Sequence, residues 1–135
     1  VLGYSAKVRQ IKPALDFLYA GDIPVYASSH IYNGTQQIEL NRDLSGIQFS
    51  AMPWTLKGHI PRPLNLDQRL PIAYRQLFAL GYDAFLLHAM LDKMDSPKAI
   101  PVFGSTGLLT LSNGVIKREG KWAVFQQGQV VPVNP

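Results

Sequence analysis

The chain has 135 residues, of which 47% are hydrophobic and 16% charged, which is enough apolar material for a packed core and excludes intrinsic disorder. Its net charge of +4 comes from scattered bases without a recognisable stacking motif, so nucleic acid is not an expected partner. The absence of cysteine excludes disulfides, thiolate metal sites and cysteine nucleophiles within the chain. No apolar run approaches the roughly 18 residues that span a bilayer, and we expect any targeting signal to lie upstream.

The first 27 residues follow a strand–helix–strand pattern that predicts a parallel sheet. The helix between the first two strands is expected to have Ser5 as its N-cap, a kink or break at Pro13, and Gly21 at its C-terminal cap. Its buried stripe is expected from four apolar residues at helical spacing: Val8, Ile11, Leu15 and Leu18. Strands are predicted at three places: residues 1–4, 23–27 and 46–50.

A polar segment at residues 28–44 contains the Asn33-Gly34 turn signal, which predicts a long exposed loop. Long loops on a rigid scaffold often carry binding. We therefore expect Tyr32, Asn33 and Arg42 to be candidate contacts for a partner.

A long helix is predicted over residues 67–94, after a linker at 55–66 that contains proline and glycine. Gly81 is expected to be a local break in it. From residue 100 the pattern changes to alternation with turns, which predicts an antiparallel meander over residues 108–133. The expected buried stripe of the helix has seven members: Ile72, Leu77, Leu80, Ala84, Leu87, Leu91 and Met94.

No group of residues forms a recognisable catalytic or metal-binding pattern. His30, His59 and His88 lie in no metal-ligand motif, and His88 is expected to be partly buried and structural. Ser28-Ser29-His30 lacks the G-x-S-x-G elbow of serine hydrolases, so its hydroxyls are expected to bond to the loop backbone. The sequence therefore predicts no catalytic residue, no metal and no cofactor, and the protein is not expected to be an enzyme.

The Gly104-Ser-Thr-Gly107 segment lacks the lysine of a P-loop and precedes a strand, so a tight turn is favoured over a phosphate cradle. Two tryptophans are the other notable residues. Trp54 follows Pro53 directly after a predicted strand. It is expected either to fill the core at a domain hinge or to be an exposed anchor for a partner, and the buried position is favoured. Trp122 opens an alternating strand and is expected in the core.

Several stretches, taken in order over residues 5–133, resemble one family. They are VRQIKP at 8–13, PVYASS at 24–29, GIQF at 46–49, MPW at 52–54, ALGYDA at 79–84 and WAVFQQGQVVPV at 122–133. In this order they resemble the LppC or LpoA family of outer-membrane lipoproteins that activate penicillin-binding proteins.

Two further motifs resemble the wider type I periplasmic-binding-protein fold. They are Gly81-Tyr82-Asp83-Ala84 and Gly104-x-x-Gly107. The resemblance implies an α/β fold with a Rossmann-like parallel sheet and a C-terminal antiparallel meander, and structural roles for Tyr82, Asp83, Gly104 and Gly107.

The same resemblance implies that the chain is the C-terminal part of a two-lobed domain. Residues 1–54 and 100–135 are expected in one lobe, and the helices of 67–95 toward the other lobe.

For function, the resemblance implies a non-enzymatic regulator that binds and activates a class A penicillin-binding protein, a bifunctional peptidoglycan synthase. It is expected on the periplasmic side of the outer membrane of a Gram-negative bacterium, with membrane attachment only through a lipid anchor outside this chain. Peptidoglycan itself is a second candidate partner. The alternative is a periplasmic solute-binding protein for an amino acid or peptide, with Ser28, Ser29 and Arg42 as the nearby polar residues.

Overall fold

The computed structural model describes residues 3–56, 70–95 and 99–133. Helices in these ranges are α1 (Ser5–Phe17), α2 (Ile38–Asn41) and α3 (Ile72–Met94), and short 3-10 turns lie at Ser29–Ile31, Arg42–Leu44 and Pro53–Thr55. The strands are β1 (Tyr26–Ala27), β2 (Gln48–Ala51), β3 (Val102–Phe103), β4 (Leu108–Ser112), β5 (Val115–Glu119), β6 (Lys121–Gln126) and β7 (Gln129–Pro132). The predicted mixed α/β fold is confirmed.

The chain forms two compact units. The first unit consists of Val1–Ala51 with Lys121–Pro135, and the second consists of Met52–Gly120. This differs from the expected grouping of 100–135 with 1–54, because β3, β4 and β5 pair only with one another in a sheet of their own. The assignment of either unit to a lobe of a larger domain stays a prediction.

The first unit is built on a four-stranded sheet in the order β1-β2-β6-β7. β1 runs parallel to β2, as predicted for the strands at 23–27 and 46–50, and the remaining pairs are antiparallel. The predicted strand at 23–27 is shortened to its last two residues, consistent with the lack of a donor N–H on Pro24. Of the predicted strand at 1–4, residues 1 and 2 lie outside the described residues, and Gly3 and Tyr4 are not in a strand.

Helix α1 differs from its prediction at both ends. Its N-cap is Tyr4 rather than Ser5, and no side chain caps it. Pro13 lies inside the helix without dividing it into two. At the C-terminus the left-handed residue is Tyr19, not Gly21, with φ of 56°. Of the expected stripe, Val8 is buried, two members are half-buried and Leu18 is exposed.

Three aromatic rings form the centre of the first unit. Phe49 of β2 and Phe125 of β6 lie 5.0 Å apart between ring centroids, and Tyr32 contacts both at 5.7 and 6.3 Å. Burying each such ring contributes about 2 kcal/mol or more to folding. Buried aliphatic residues complete this core: Val8, Ile31, Leu44 and Ile47.

The second unit packs α3 against the three-stranded antiparallel sheet β3-β4-β5. The helix runs through Gly81 without the expected break. The predicted buried stripe is only partly confirmed. Met94 is buried and Ile72 and Leu87 are half-buried, whereas the other four members are exposed: Leu77, Leu80, Ala84 and Leu91. The other buried residues lie four residues apart in the first half of the helix, and Met94 at its end packs with Val102 and Leu109. This buried face begins with Arg75, Ala79 and Asp83.

The C-terminal strands are antiparallel, as predicted, but they form two hairpins rather than one continuous meander. β4 pairs with β5, and β6 pairs with β7. Only Gly120 separates β5 from β6, yet the two strands belong to different sheets. The reason is that β6 pairs with the distant β2, so Lys121 lies opposite Ala51.

Candidate functional site

Histidines and hydroxyls do not assemble a reactive centre in the described ranges. No group of three or more histidine, cysteine or carboxylate side chains there is placed to hold a metal ion. His30 is exposed, with its Nδ1 3.5 Å from the Ser28 hydroxyl and its ring edge-on to Tyr4. His88 is exposed, which contradicts its predicted burial, and His59 lies outside the described residues. None of the described helices is long and apolar enough to cross a membrane.

The most elaborate polar arrangement joins Asp83 of α3 to the turn between β3 and β4. Asp83 Oδ1 accepts the Ser105 N–H at 2.6 Å, and Oδ2 accepts the Thr106 N–H at 2.8 Å and the Thr106 hydroxyl at 2.6 Å. All three residues are at most 2% exposed. A buried carboxylate with three donors is held by charge-assisted hydrogen bonds, which are stronger than neutral ones.

Two glycines of this turn lie close to neighbouring atoms. A Cβ on Gly104 would lie 2.6 Å from the Asp83 carboxylate, and a Cβ on Gly107 would overlap the Glu119 carbonyl of β5. The Gly104 N–H donates to the Gly107 carbonyl at 2.9 Å, so the predicted turn is confirmed. Its inward-facing N–H groups are occupied by the protein's own carboxylate. The turn is therefore a structural clamp between helix and sheet.

The segment at 28–44 was predicted to be an exposed loop with three candidate contacts. Tyr32 is 7% exposed and belongs to the aromatic core, so its expected exposure is wrong. Asn33 is exposed and its Oδ1 accepts from the N–H and hydroxyl of Thr35, which closes a local turn. Arg42 is exposed and pairs with Glu39 at 3.4 Å. A partner-binding role for Asn33 and Arg42 stays a prediction.

This segment is folded onto the sheet rather than extended from it. The Gln36 side chain exchanges hydrogen bonds with the backbone of Val130 in β7, at 3.2 and 3.5 Å. Gly128 lies so close to the Ile38 carbonyl that a Cβ there would overlap it. Sequence polarity alone did not reveal this packing, because the anchoring groups are backbone atoms and one amide side chain.

The two tryptophans have opposite environments. Trp54 is 4% exposed, packs on Phe78 at 6.1 Å and donates its backbone N–H to the Ser105 carbonyl, so its favoured placement in a core is confirmed. Pro53 beside it is buried, and a hinge role for the pair stays a prediction. Trp122 is 48% exposed, which contradicts its predicted burial. It lies on the sheet face opposite Ala123, edge-on to Tyr26 at 5.8 Å.

One surface feature was missed by the sequence analysis. At the end of α1, Phe17, Leu18 and Tyr19 are 83%, 68% and 100% exposed, and Ile23 four residues later is 58% exposed. The sequence contains one sign of this feature. No glycine directly follows the helix, at the position where a residue in the left-handed conformation commonly ends a helix. These four side chains are exposed and apolar, and we call them the apolar knob.

Comparison with known proteins identifies the family. Residues 1–128 match the family model of the LppC lipoproteins. The chain is also 32% identical, over 98% of its length, to the penicillin-binding protein activator LpoA of Edwardsiella ictaluri. The chain belongs to the LppC family.

Other LppC relatives agree with this assignment. The activator LpoA of Escherichia coli K12 is 32% identical over 82% of the chain. The chain spans 20% of the Edwardsiella protein and 17% of the Escherichia coli protein, so it corresponds to about a fifth of such relatives.

Solved structures of LppC relatives show the same fold. Haemophilus influenzae LpoA superimposes with a TM-score of 0.83 and 22% identity, over 99% of this chain and 26% of that one. Its C-domain, described as a regulator of PBP1A, gives a TM-score of 0.71 and 21% identity, over 98% of this chain and 43% of that one. A candidate branched-chain amino acid ABC transporter from Chromobacterium violaceum gives a TM-score of 0.63 and 30% identity, over 90% of this chain and 39% of that one. The fold is therefore that of periplasmic-binding-protein-like domains.

Proposed function

We propose that the complete protein containing this chain binds a class A penicillin-binding protein, a bifunctional peptidoglycan synthase, and activates it. The observation that carries the proposal is the 32% identity, over 98% of the chain, to a protein named as a penicillin-binding protein activator. The fold shared with a C-domain described as a regulator of PBP1A supports it. Since the chain covers about a fifth of such relatives, the activity is that of the whole protein.

The proposed mechanism is binding without catalysis. A regulator that has higher affinity for the active conformation of the synthase shifts the population toward it. A tenfold preference corresponds to about 1.4 kcal/mol, which is small beside the binding energy of an interface of roughly 1,600 Å². Such a regulator needs a rigid surface, and the described residues provide one in each unit through their own sheet.

The proposed location is the periplasmic side of the outer membrane of a Gram-negative bacterium. The match to a lipoprotein family supports this location, with attachment through a lipid anchor outside the described residues. In this setting the protein faces the peptidoglycan layer, so peptidoglycan is a second partner that we propose. The separation of 1–54 and 67–95 into different lobes is also a proposal, supported by the periplasmic-binding-protein-like fold.

A synthesis assay tests the proposal. Purified class A synthase acts on lipid II with and without the full-length protein, and glycan polymerisation and cross-linking are followed separately. We expect a higher rate of at least one reaction and a complex by surface plasmon resonance. Unchanged rates at saturating protein, together with no complex, would exclude the activator function.

A titration separates this function from solute binding. Isothermal titration with amino acids and muropeptides measures any small-ligand affinity of the full-length protein. We expect no amino acid to bind, and the matched control is the same titration with an Arg42→Ala variant. An affinity that is lost in this variant would instead support a solute-binding protein.

A further inference from the structure

The dipeptide Asn-Gly occurs twice in the sequence, at Asn33-Gly34 and at Asn113-Gly114. In such a pair the backbone nitrogen of glycine can attack the asparagine side-chain carbon Cγ, because no Cβ on the glycine obstructs the approach. The N–Cγ bond forms, the Cγ–Nδ2 bond breaks, and ammonia leaves with the proton of the glycine nitrogen. Water then opens the resulting succinimide at either carbonyl, which yields aspartate or isoaspartate. Since both sites have the same dipeptide, a difference in rate between them reflects their structures.

At the first site the asparagine side chain is folded back along the chain. Asn33 Oδ1 accepts the Thr35 N–H at 3.1 Å and the Thr35 hydroxyl at 2.8 Å. The first of these bonds makes an Asx turn, in which the side chain takes the place of a backbone carbonyl in a β-turn. Both reacting atoms, Asn33 Cγ and the Gly34 nitrogen, belong to the ring that this bond closes. Holding two reacting atoms near each other removes part of the entropic barrier to their reaction.

The two donors of Thr35 also act on the oxygen that becomes charged. As the Gly34 nitrogen attacks, Cγ becomes tetrahedral and Asn33 Oδ1 becomes an oxyanion. A hydrogen bond to an oxyanion is stronger than one to a neutral amide oxygen, so the two bonds stabilise the transition state more than the ground state. Two donors directed at one such oxygen form the arrangement of an oxyanion hole. Thr35 is therefore placed to promote the reaction.

The second site lies in a different kind of turn. Asn113 and Gly114 have φ of 53° and 73°, and they connect Ser112 to Val115, which pair across the hairpin. Positive φ at both positions is typical of a type I′ turn, whose strands hold it at each end. Within the described residues no donor is bonded to the Asn113 side chain. Attack at Asn113 therefore lacks the stabilisation that Thr35 supplies at Asn33.

We propose that Asn33 is a site of spontaneous deamidation, promoted by Thr35 and faster than deamidation of Asn113. The reaction involves three consecutive residues and water, so it requires no enzyme and no contact with a partner. It converts a neutral amide to a carboxylate, which lowers the net charge of +4 by one. Where isoaspartate forms, the backbone also gains one methylene carbon, and the Asx turn at residues 33–35 is lost. This inference does not depend on the proposed function.

The test follows both asparagines in the purified full-length protein during incubation at mildly alkaline pH, which assists loss of the proton from the glycine nitrogen. Peptide mapping by mass spectrometry measures deamidation, and electron-transfer fragmentation identifies isoaspartate. We expect Asn33 to be converted before Asn113. Thr35→Val removes one donor and should slow conversion of Asn33 about threefold or more, the effect of one hydrogen bond. Thr35→Ser keeps the hydroxyl and should retain the faster rate, while Asn113 is the internal control and should be unaffected in every variant.

Two results would overturn the inference. Conversion of Asn113 at a rate equal to or above that of Asn33 would show that the Asx turn gives no advantage, and the absence of any conversion at Asn33 has the same meaning. An unchanged or faster rate at Asn33 in Thr35→Val would show that the hydroxyl does not stabilise the transition state. Neither result concerns binding to a synthase, so the proposed function is tested separately.

Discussion

Asp83 shows how one side chain can define a junction between secondary structure elements. Its carboxylate supplies acceptors for two backbone N–H groups and one hydroxyl that would otherwise be buried without partners. A buried donor left unsatisfied costs about 1–3 kcal/mol. The carboxylate therefore stabilises the turn and its contact with α3 at the same time.

Replacing Asp83 by asparagine tests this role. The amide keeps one acceptor oxygen but directs an NH₂ group at donors, so we expect the 135-residue chain to lose about 2 kcal/mol of stability. Urea denaturation in a Trp122→Phe background, followed by the fluorescence of Trp54 in the same unit, measures it. Asp92→Asn, at an exposed position of the same helix, is the control and should change stability by less than about 0.5 kcal/mol. Equal stability of the two variants would contradict a structural role for the Asp83 carboxylate.

The burial and partners of a side chain could not be predicted where residues distant in sequence determine them. A structural role for Asp83 followed from resemblance, but its partners lie more than twenty residues away and no local pattern names them. Tyr32 was placed in an exposed loop because its neighbours are polar, whereas Phe49 and Phe125 bury it. Trp122 was placed in the core because its strand alternates, and alternation alone does not say which face is covered.

At the scale of elements, the hairpin of β4 and β5 depends on a single glycine. Gly107 has φ of 154° and faces the backbone of β5, where a Cβ would overlap the Glu119 carbonyl. Gly114, in the turn at the other end of the hairpin, has φ of 73° but open space around it. Substitutions at these two positions therefore distinguish the energetic cost of steric overlap from that of backbone strain.

We expect Gly107→Ala to destabilise the chain by more than about 2 kcal/mol, because it adds overlap to strain. Gly114→Ala, with strain alone, should cost about 1 kcal/mol. Urea denaturation in a Trp122→Phe background, followed by Trp54 fluorescence, compares the two variants. A loss for Gly114→Ala that equals or exceeds the loss for Gly107→Ala would contradict the close approach of the two strands.

Periodicity in the sequence predicted most of the helices and strands, but it did not predict which face of α3 is buried. The helix carries apolar residues on several faces, such as Leu77 and Phe85, which are 64% and 74% exposed. With apolar residues all round, the spacing alone cannot say which face meets the sheet. Asp83 lies on the face that meets the sheet. Because Asp83 is charged, a prediction based on apolar residues alone does not include it.

For the whole molecule, fold class and family were accessible from the sequence, while the division into units was not. The parallel direction of β1 and β2 was predicted, although the strand–helix–strand pattern behind it places its first strand at residues 1–4, where Gly3 and Tyr4 are not in a strand. The pairing of β2 with β6 joins residues about 70 positions apart, and no periodic signal connects them. Strands adjacent in sequence were therefore assigned to one meander, although they belong to two units.

Each unit contains one tryptophan, which allows the units to be examined separately. In the 135-residue chain, Trp54→Phe leaves Trp122 of the first unit, and Trp122→Phe leaves Trp54 of the second. We expect acrylamide to quench Trp122 more strongly and its emission to lie at longer wavelength, because it is 48% exposed against 4% for Trp54. Free tryptophan amide is the control for full exposure. Equal quenching of the two variants would contradict the open sheet face around Trp122.

The pairing of Ala51 with Lys121 also has a consequence for how the protein folds. During synthesis β2 leaves the ribosome about 70 residues before its partner β6, so the sheet of the first unit cannot close until residues 121–126 have also left it. Closing so long a loop carries an entropy penalty that grows with its length. If Met52–Gly120 folds first, its compaction shortens the distance that the loop must span. From this connectivity we expect the inserted unit to fold before the unit that encloses it in the sequence.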